Sequence, residues 1–220
     1  MRCVSGRVLA PEILDTLPYE QARATLADLT RINRRWGGHS TLRHLLRENV
    51  RPEETFSMLD VGAASGDMAD CVREWYPRAT VVLLDRIASH LNGASGPRVA
   101  ADAFHLPLRP KSFDFVFCSL FLHHFTGEEI VRLLEAFSSV ARRAVLVIDL
   151  ERNPVAYYFL PWTRRLFGWD PVTVNDGRIS VEAAFRAGEL EELARRAHLN
   201  PKARVFRPAF RIAMTARVPL

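Results

Sequence analysis

The chain of 220 residues has three cysteines, Cys3, Cys71 and Cys118, far apart and odd in number, with no Cys-x-x-Cys pair and no Cys/His cluster. That set excludes a disulfide-stapled miniprotein, argues against a structural zinc site and suits a reducing compartment. Lysine is nearly missing, present only at Lys111 and Lys202, and no basic run exceeds two residues, so there is no polybasic tail. No apolar stretch approaches the roughly 20 residues of a membrane span. The opening Met1-Arg2-Cys3-Val4-Ser5-Gly6-Arg7 lacks the apolar core of a signal peptide, and a cytoplasmic protein is expected. Internal repeats, low-complexity tracts and Gly/Ser-rich linkers are also lacking, so a single domain over 1–220 is the simplest organisation.

What is present is globular: 48% of the residues are apolar and 25% charged. A chain of this size buries roughly 70% of its unfolded surface and needs no staple. The net charge of +5 invites a nucleic-acid reading, but its distribution says more. Residues 1–150 hold eighteen basic and eighteen acidic side chains, whereas 151–220 hold twelve against seven. The excess is therefore a property of the last third of the chain.

Apolar residues at Ile13, Leu14 and Leu17, at Ala22, Leu26, Leu29 and Ile32, and at Leu42, Leu45 and Leu46 recur near the 3.6 period. They predict a helical cover over 11–49, split at Gly37-Gly38, with Ser40 capping its second helix. From Phe56 the texture changes. Short apolar runs over 56–61, 80–84, 99–101, 113–118 and 144–148 alternate with helical patterns over 67–76 and 128–141. That alternation means parallel strands joined by right-handed crossovers, a doubly wound sheet occupying 56–150. Residues 151–200 break the rhythm with an aromatic-rich helix over 155–167, a turn-rich stretch through Asp170-Pro171 and Asn175-Asp176-Gly177, and a helix over 189–197. The segment 201–220 holds two strands, about 203–206 and 210–217, divided at Pro208 and too close for a parallel return, hence antiparallel.

Open α/β sheets bind ligands beyond the carboxyl ends of their strands, and the turn after the first strand is the usual cradle. Here it reads Asp60-Val61-Gly62-Ala63-Ala64-Ser65-Gly66-Asp67. A dinucleotide fingerprint needs glycine at 64 and a small residue at 67. Asp67, in the first helical turn, would repel a pyrophosphate, and Asp60 adds a second negative charge, so a cationic ligand is favoured. S-adenosylmethionine, with a sulfonium, an ammonium and no phosphate, meets that requirement. Asp85 ends the next strand, nineteen residues after Gly66, where a carboxylate is placed to accept from both ribose hydroxyls. Arg86 beside it is either an adenine-stacking side chain or plain surface.

The order Asp-x-Gly-x-Ala-x-Gly at 60–66 resembles the Asp/Glu-x-Gly-x-Gly-x-Gly motif of class I S-adenosylmethionine-dependent methyltransferases, with Ala64 in place of the middle glycine. Ala101-Asp102-Ala103, the following Phe104-His105-Leu106-Pro107-Leu108, and Phe113-Asp114-Phe115-Val116 with Leu122-His123-His124-Phe125 beyond it are similar to that family's later motifs in their expected order. The small-molecule branch of the ubiquinone/menaquinone-biosynthesis type is the one resembled, over 56–150. The resemblance implies an α/β, doubly wound, Rossmann-like and mostly parallel seven-stranded sheet with a C-terminal antiparallel strand, N-terminal helices and an inserted helical lid. It also implies a cofactor site of Asp60, Gly62, Ala63, Ala64, Gly66, Asp85, Arg86, Asp102, Ala103 and Ser119, S-adenosylhomocysteine as product, and no metal.

Methyl transfer needs proximity, orientation and, for some acceptors, a base. His123 and His124, at the carboxyl edge of the sheet, are base candidates or merely pack against the cofactor. Asp149 could orient the acceptor and Arg152 could bind a carboxylate or phenolate on it, or the two could form a structural ion pair. Tyr157, Tyr158 and Trp162 lie where this family builds its acceptor lid, pointing to a small aromatic or polyketide-like hydroxylated acceptor. Trp36, beside two glycines, suggests that 31–39 closes over the cofactor. An RNA methyltransferase is the competing enzyme, but Cys118-Ser119-Leu120-Phe121 stands where an Asn/Asp-Pro-Pro-Tyr/Phe motif would hold an exocyclic nitrogen, and no RNA-binding module is recognisable. A non-enzymatic cofactor-binding regulator and an oxidoreductase complete the alternatives, and the turn and its carboxylates disfavour both.

Overall fold

The computed structural model describes residues 6–207 and 209–219; Cys3 and Pro208 lie outside them. Seven strands form one sheet: β1 (Ser57–Val61), β2 (Thr80–Asp85), β3 (Arg98–Ala100), β4 (Phe113–Ser119), β5 (Ala141–Leu150), β6 (Asn200–Phe206) and β7 (Arg211–Arg217). Their spatial order is β3-β2-β1-β4-β5-β7-β6. The first five are mutually parallel, and β7 alone runs antiparallel to both its neighbours, β5 and β6. The predicted doubly wound sheet with an antiparallel C-terminal strand is therefore the observed one.

The described residues form seven α-helices: α1 (Tyr19–Arg35), α2 (Gly38–Asn49), α3 (Asp67–Trp75), α4 (Gly127–Val140), α5 (Pro154–Phe167), α6 (Pro171–Ala183) and α7 (Ala187–Arg196), of which α2, α3, α4 and α7 pack on the sheet. Successive strand residues face opposite sides, so the sheet feeds two cores. On one side Val116, Val145 and Val147 pack with Ile130, Leu134 and Phe137 of α4 and Leu190 of α7. On the other, Met58, Phe117 and Leu146 meet Leu42 and Leu46 of α2 and Met68 and Val72 of α3. None of the described helices is long and apolar enough to cross a membrane.

Two local expectations change. Ser40 lies inside α2, its hydroxyl donating to the Gly37 carbonyl, and the cap position is Gly37 in the left-handed region at φ 92°. A Cβ there would collide with Ala209, so glycine is required by both backbone and packing. Asn175-Asp176-Gly177 is not a turn but the middle of α6. That helix starts at Pro171 with Asp170 as its cap, and Gly177 sits where a Cβ would strike Leu160 of α5. Close packing of α5 on α6 thus outweighs the helix-breaking tendency of glycine, which costs about 1 kcal/mol.

Candidate active site

The turn after β1 places Gly62 at φ 69° and Gly66 at φ 76°, and between them Ala64 at φ 44°. Alanine in the left-handed region costs roughly 1–2 kcal/mol. Its N–H donates to Asp85 Oδ2 at 3.0 Å, which holds it there. A Cβ on Gly62 would press into the Phe121 ring, so the glycine leaves room for that side chain as well as for the turn. Asp85 Oδ1 accepts from the Ile87 N–H at 2.9 Å. Each carboxylate oxygen has a further lone pair, and Asp85 lines the cavity described below.

Asp60, at the same edge, is 2% exposed and its Oδ2 has no partner. Burial, reinforced by Asp67 and Asp85, pushes its carboxyl well above the usual carboxylate range. A cation brought beside it would reverse that shift. Asp67 itself is already engaged by the N-terminal helices: His39 Nε2 lies 3.0 Å from its Oδ2 and Asn33 Nδ2 donates to the same atom at 3.2 Å. Hydrogen bonds to Asp67 and Cys71 raise His39 to about 9. Of the two charges expected to attract a cation, Asp60 faces the cavity unpaired, while Asp67 docks the cover. Asp102 accepts from the Phe104 N–H at 2.9 Å, which lowers its carboxyl, and lines the cavity with Arg86, Ala103 and Ser119. The Ser119 hydroxyl is buried without a partner.

A cavity of about 1090 Å³ runs from this turn to the α5–α6 insertion. Its far wall is aromatic and aliphatic: Trp36, Phe159, Leu160, Phe206 and Phe210, with Leu26 and Leu29 of α1. Trp36 is wedged edge-on between Phe159 and Phe167, with ring centres 5.7 and 5.0 Å away. Asp28 of α1 accepts from the Asp170 N–H at 2.8 Å and from the Thr173 hydroxyl at 3.0 Å. The cover and the insertion therefore close on each other over the cavity. The aromatic residues expected to line it divide. Phe159 reaches the cavity, but Tyr157, Tyr158 and Trp162 are not among its lining residues. Tyr158 and Trp162 stack on each other 5.2 Å apart, and Trp162 is 75% exposed. The helical period turns those positions outward once Phe159 and Leu160 face in.

His123 and His124 both line the cavity, their rings stacked 4.3 Å apart. His123 Nδ1 donates to Asp149 Oδ1 at 2.7 Å, and its Nε2 lies 3.4 Å from Glu12 Oε1. Burial opposes its charge, but Asp149 and Glu12 outweigh it and lift the imidazole to about 10. His123 is consequently protonated at neutral pH. Asp149, fully buried beneath it, also accepts from the Leu122, His123 and Leu150 N–H groups and does not reach the cavity. Arg152 does not pair with Asp149. It clasps Glu189 through two bonds of 2.6 and 3.0 Å and donates to the Ala184 carbonyl, away from the cavity. Glu12, His123 and His124 bring three potential metal-ligand atoms within 4.8 Å of one another.

Glu12 and Arg211 escape a reading by motif. Glu12 belongs to no motif, and only folding carries it to His123. Arg211 left one trace: a charge opening the otherwise apolar run Ile212-Ala213-Met214.

Residues 59–148 match the family described as a methyltransferase domain. No curated protein matches the chain. Human N-acetylserotonin methyltransferase, solved in complex with S-adenosylmethionine, superposes with a TM-score of 0.67 over 96% of this chain and 61% of its own, at 19% identity. This chain thus spans about three fifths of the human enzyme. A SAM-dependent methyltransferase from Aquifex aeolicus gives 0.61 over 81% and 89% at 16% identity. Magnesium protoporphyrin IX methyltransferase from Synechocystis PCC 6803, with bound SAH, gives 0.57 over 82% and 84% at 15% identity. The central stretch 59–148 is a methyltransferase-domain match, and the fold as a whole is that of the class I S-adenosylmethionine-dependent methyltransferases.

Proposed function

We propose that the protein is an S-adenosylmethionine-dependent methyltransferase acting, as one domain, on a small hydroxylated acceptor of aromatic or polyketide-like character, by oxygen or carbon attack. One observation carries this reading: one cavity joins the carboxylate-edged turn to a pocket walled by aromatic side chains. The residues present fit the cofactor. Asp85 would accept from the ribose hydroxyls, Asp60 and Ser119 have unpartnered buried oxygens for its cationic amino-acid end, and Asp102 would take the adenine amino group. Bound there, the cofactor supplies a methyl carbon already activated by its sulfonium.

The chain's own contribution is placement and exclusion of water. Trp36 and Phe159, packed edge-to-face on each other, form an aromatic surface against which a flat acceptor would lie, and Leu26 and Leu29 complete an apolar wall. His123 keeps its proton and presents a fixed positive charge, anchored by Asp149 and Glu12. His124, stacked on it and lining the cavity, is our candidate to take a hydroxyl proton. A methyl-transfer assay over phenols, quinols and hydroxylated polyketides tests the reading. Transfer to at least one of these classes is expected. Methylation of RNA with no transfer to any small acceptor would overturn the acceptor class.

A further inference from the structure

β7 has strands on both edges, and Arg211 at its start stands opposite Leu150 on one side and Phe206 on the other. All three line the cavity, so the guanidinium shares a wall with an aliphatic and an aromatic side chain. Arg211 is 5% exposed. Among the described residues it makes no side-chain hydrogen bond and no ion pair, and its Nε is buried without a partner. Arg152, buried to a similar degree, behaves as a structural arginine should and clasps a carboxylate. Burial lowers Arg211 to about 10, which still leaves it charged at neutral pH. Asp149 acts on it only at a distance and is already bonded to His123 and three backbone N–H groups. A buried charge without a counter-ion is costly and rare in folded proteins. An arginine in that state, facing a cavity, is waiting for an anion.

The anion's character follows from the surroundings. One unpaired guanidinium balances one negative charge, and its planar fork matches a carboxylate. Arg207 nearby is exposed and already bonded to Glu151 at 2.7 Å, so it offers no free second cation for a dianion. Arg35 and Arg86 reach the cavity only from exposed positions. The adjoining Phe206 and Phe210 suit a ring rather than a sugar. Between Asp60 on β1 and Arg211 on β7 lie β4 and β5. Three strand spacings amount to roughly 14 Å, which places the guanidinium on the acceptor side of the cavity rather than at the cofactor turn. From this geometry we infer that Arg211 binds the carboxylate of the methyl acceptor, which is therefore an aromatic acid. The inference rests on the methyltransferase reading and adds the charge of the substrate to it.

The test uses 4-hydroxybenzoate and its uncharged methyl ester as probes, with the full chain saturated by S-adenosylhomocysteine and titrated in a calorimeter. The wild type should bind the acid at least tenfold more tightly than the ester. R211M should bring that ratio close to one while keeping the affinities for ester and S-adenosylhomocysteine within twofold, and R211K should retain part of the preference. The melting temperature of R211M should not fall, because an unpaired buried charge has been removed. A wild type without acid preference, an R211M variant that keeps it, or a marked loss of stability in R211M overturns the inference. So does a tenfold loss of S-adenosylhomocysteine affinity in R211M, which would assign the guanidinium to the cofactor. If the wild type binds no S-adenosylhomocysteine, the methyltransferase reading fails by itself; the acid-to-ester ratio, measured without cofactor, still decides the role of Arg211.

Discussion

The two walls of the cavity are built in different ways. On the wall proposed to hold the cofactor, Asp60, Gly62 to Ser65, Asp85, Asp102 and Ser119 each sit at or just beyond a strand end, and short bonds from backbone N–H groups fix the two loop carboxylates: Ala64 and Ile87 to Asp85, Phe104 to Asp102. The opposite wall takes Glu12, Trp36, His123, Phe159 and Arg211 from five separate stretches of chain, joined only by tertiary contacts. Local turns make the first wall a property of β–α order. The second wall exists only after the N-terminal helices have met the insertion. Substitutions on the two sides should accordingly fail in different ways, one in cofactor affinity and the other in stability.

The largest effect is expected at His123. His123→Phe leaves Asp149 and Glu12 buried without their shared cation, and breaking a buried pair of this kind costs about 3–5 kcal/mol. For a chain of this size that corresponds to a drop in melting temperature of roughly 10 °C, measurable by thermal denaturation. A change of less than 3 °C would mean that the cluster does not brace the second wall. Next comes Asp85→Ala. Two charge-assisted hydrogen bonds, each worth about 1.5–3 kcal/mol, should vanish with the carboxylate, along with the acceptor that holds Ala64. Affinity for S-adenosylhomocysteine should fall at least a hundredfold by calorimetry, and a Kd within threefold of wild type would remove Asp85 from the ribose site.

A smaller, pH-dependent effect joins the walls. His39 is lifted to about 9 by its bond to Asp67, above its ordinary 6.5. Its stabilising charge is therefore complete below about 6.5 and is lost as the pH rises through 9. The melting temperature should decline by a few degrees across that interval, more in wild type than in His39→Gln, with His123 common to both proteins. Equal pH profiles for the two would detach the cover from the cofactor turn. Trp162→Ala should do least: the side chain is 75% exposed and outside the cavity, so kcat/KM for any accepted phenol should stay within twofold. A tenfold loss would bring the outer face of α5 into the acceptor site.

The same contrast explains what was legible in the chain. Strand–helix alternation, the glycine turn and the spacing to Asp85 are local signals, and the sheet and cofactor wall follow from them. Asn175-Asp176-Gly177 reads as a turn by composition, yet Gly177 is small because Leu160 packs against it, and Asp176 accepts from the Ile13 and Leu14 N–H groups. Both reasons lie in distant segments. Tyr157 and Trp162 were indistinguishable from Phe159 until the phase of α5 was set by its contact with α6. Arg152 has the charge for an acceptor site, but Glu189, thirty-seven residues on, claims it.

The central claim is that the acidic turn after β1 takes a sulfonium nucleoside and not a dinucleotide. Calorimetric titration of the purified chain with S-adenosylmethionine and with NAD addresses it directly. The account predicts one saturable site for S-adenosylmethionine, abolished in Asp85→Ala, and no heat of binding with NAD. Saturable binding of NAD together with none of S-adenosylmethionine would contradict it.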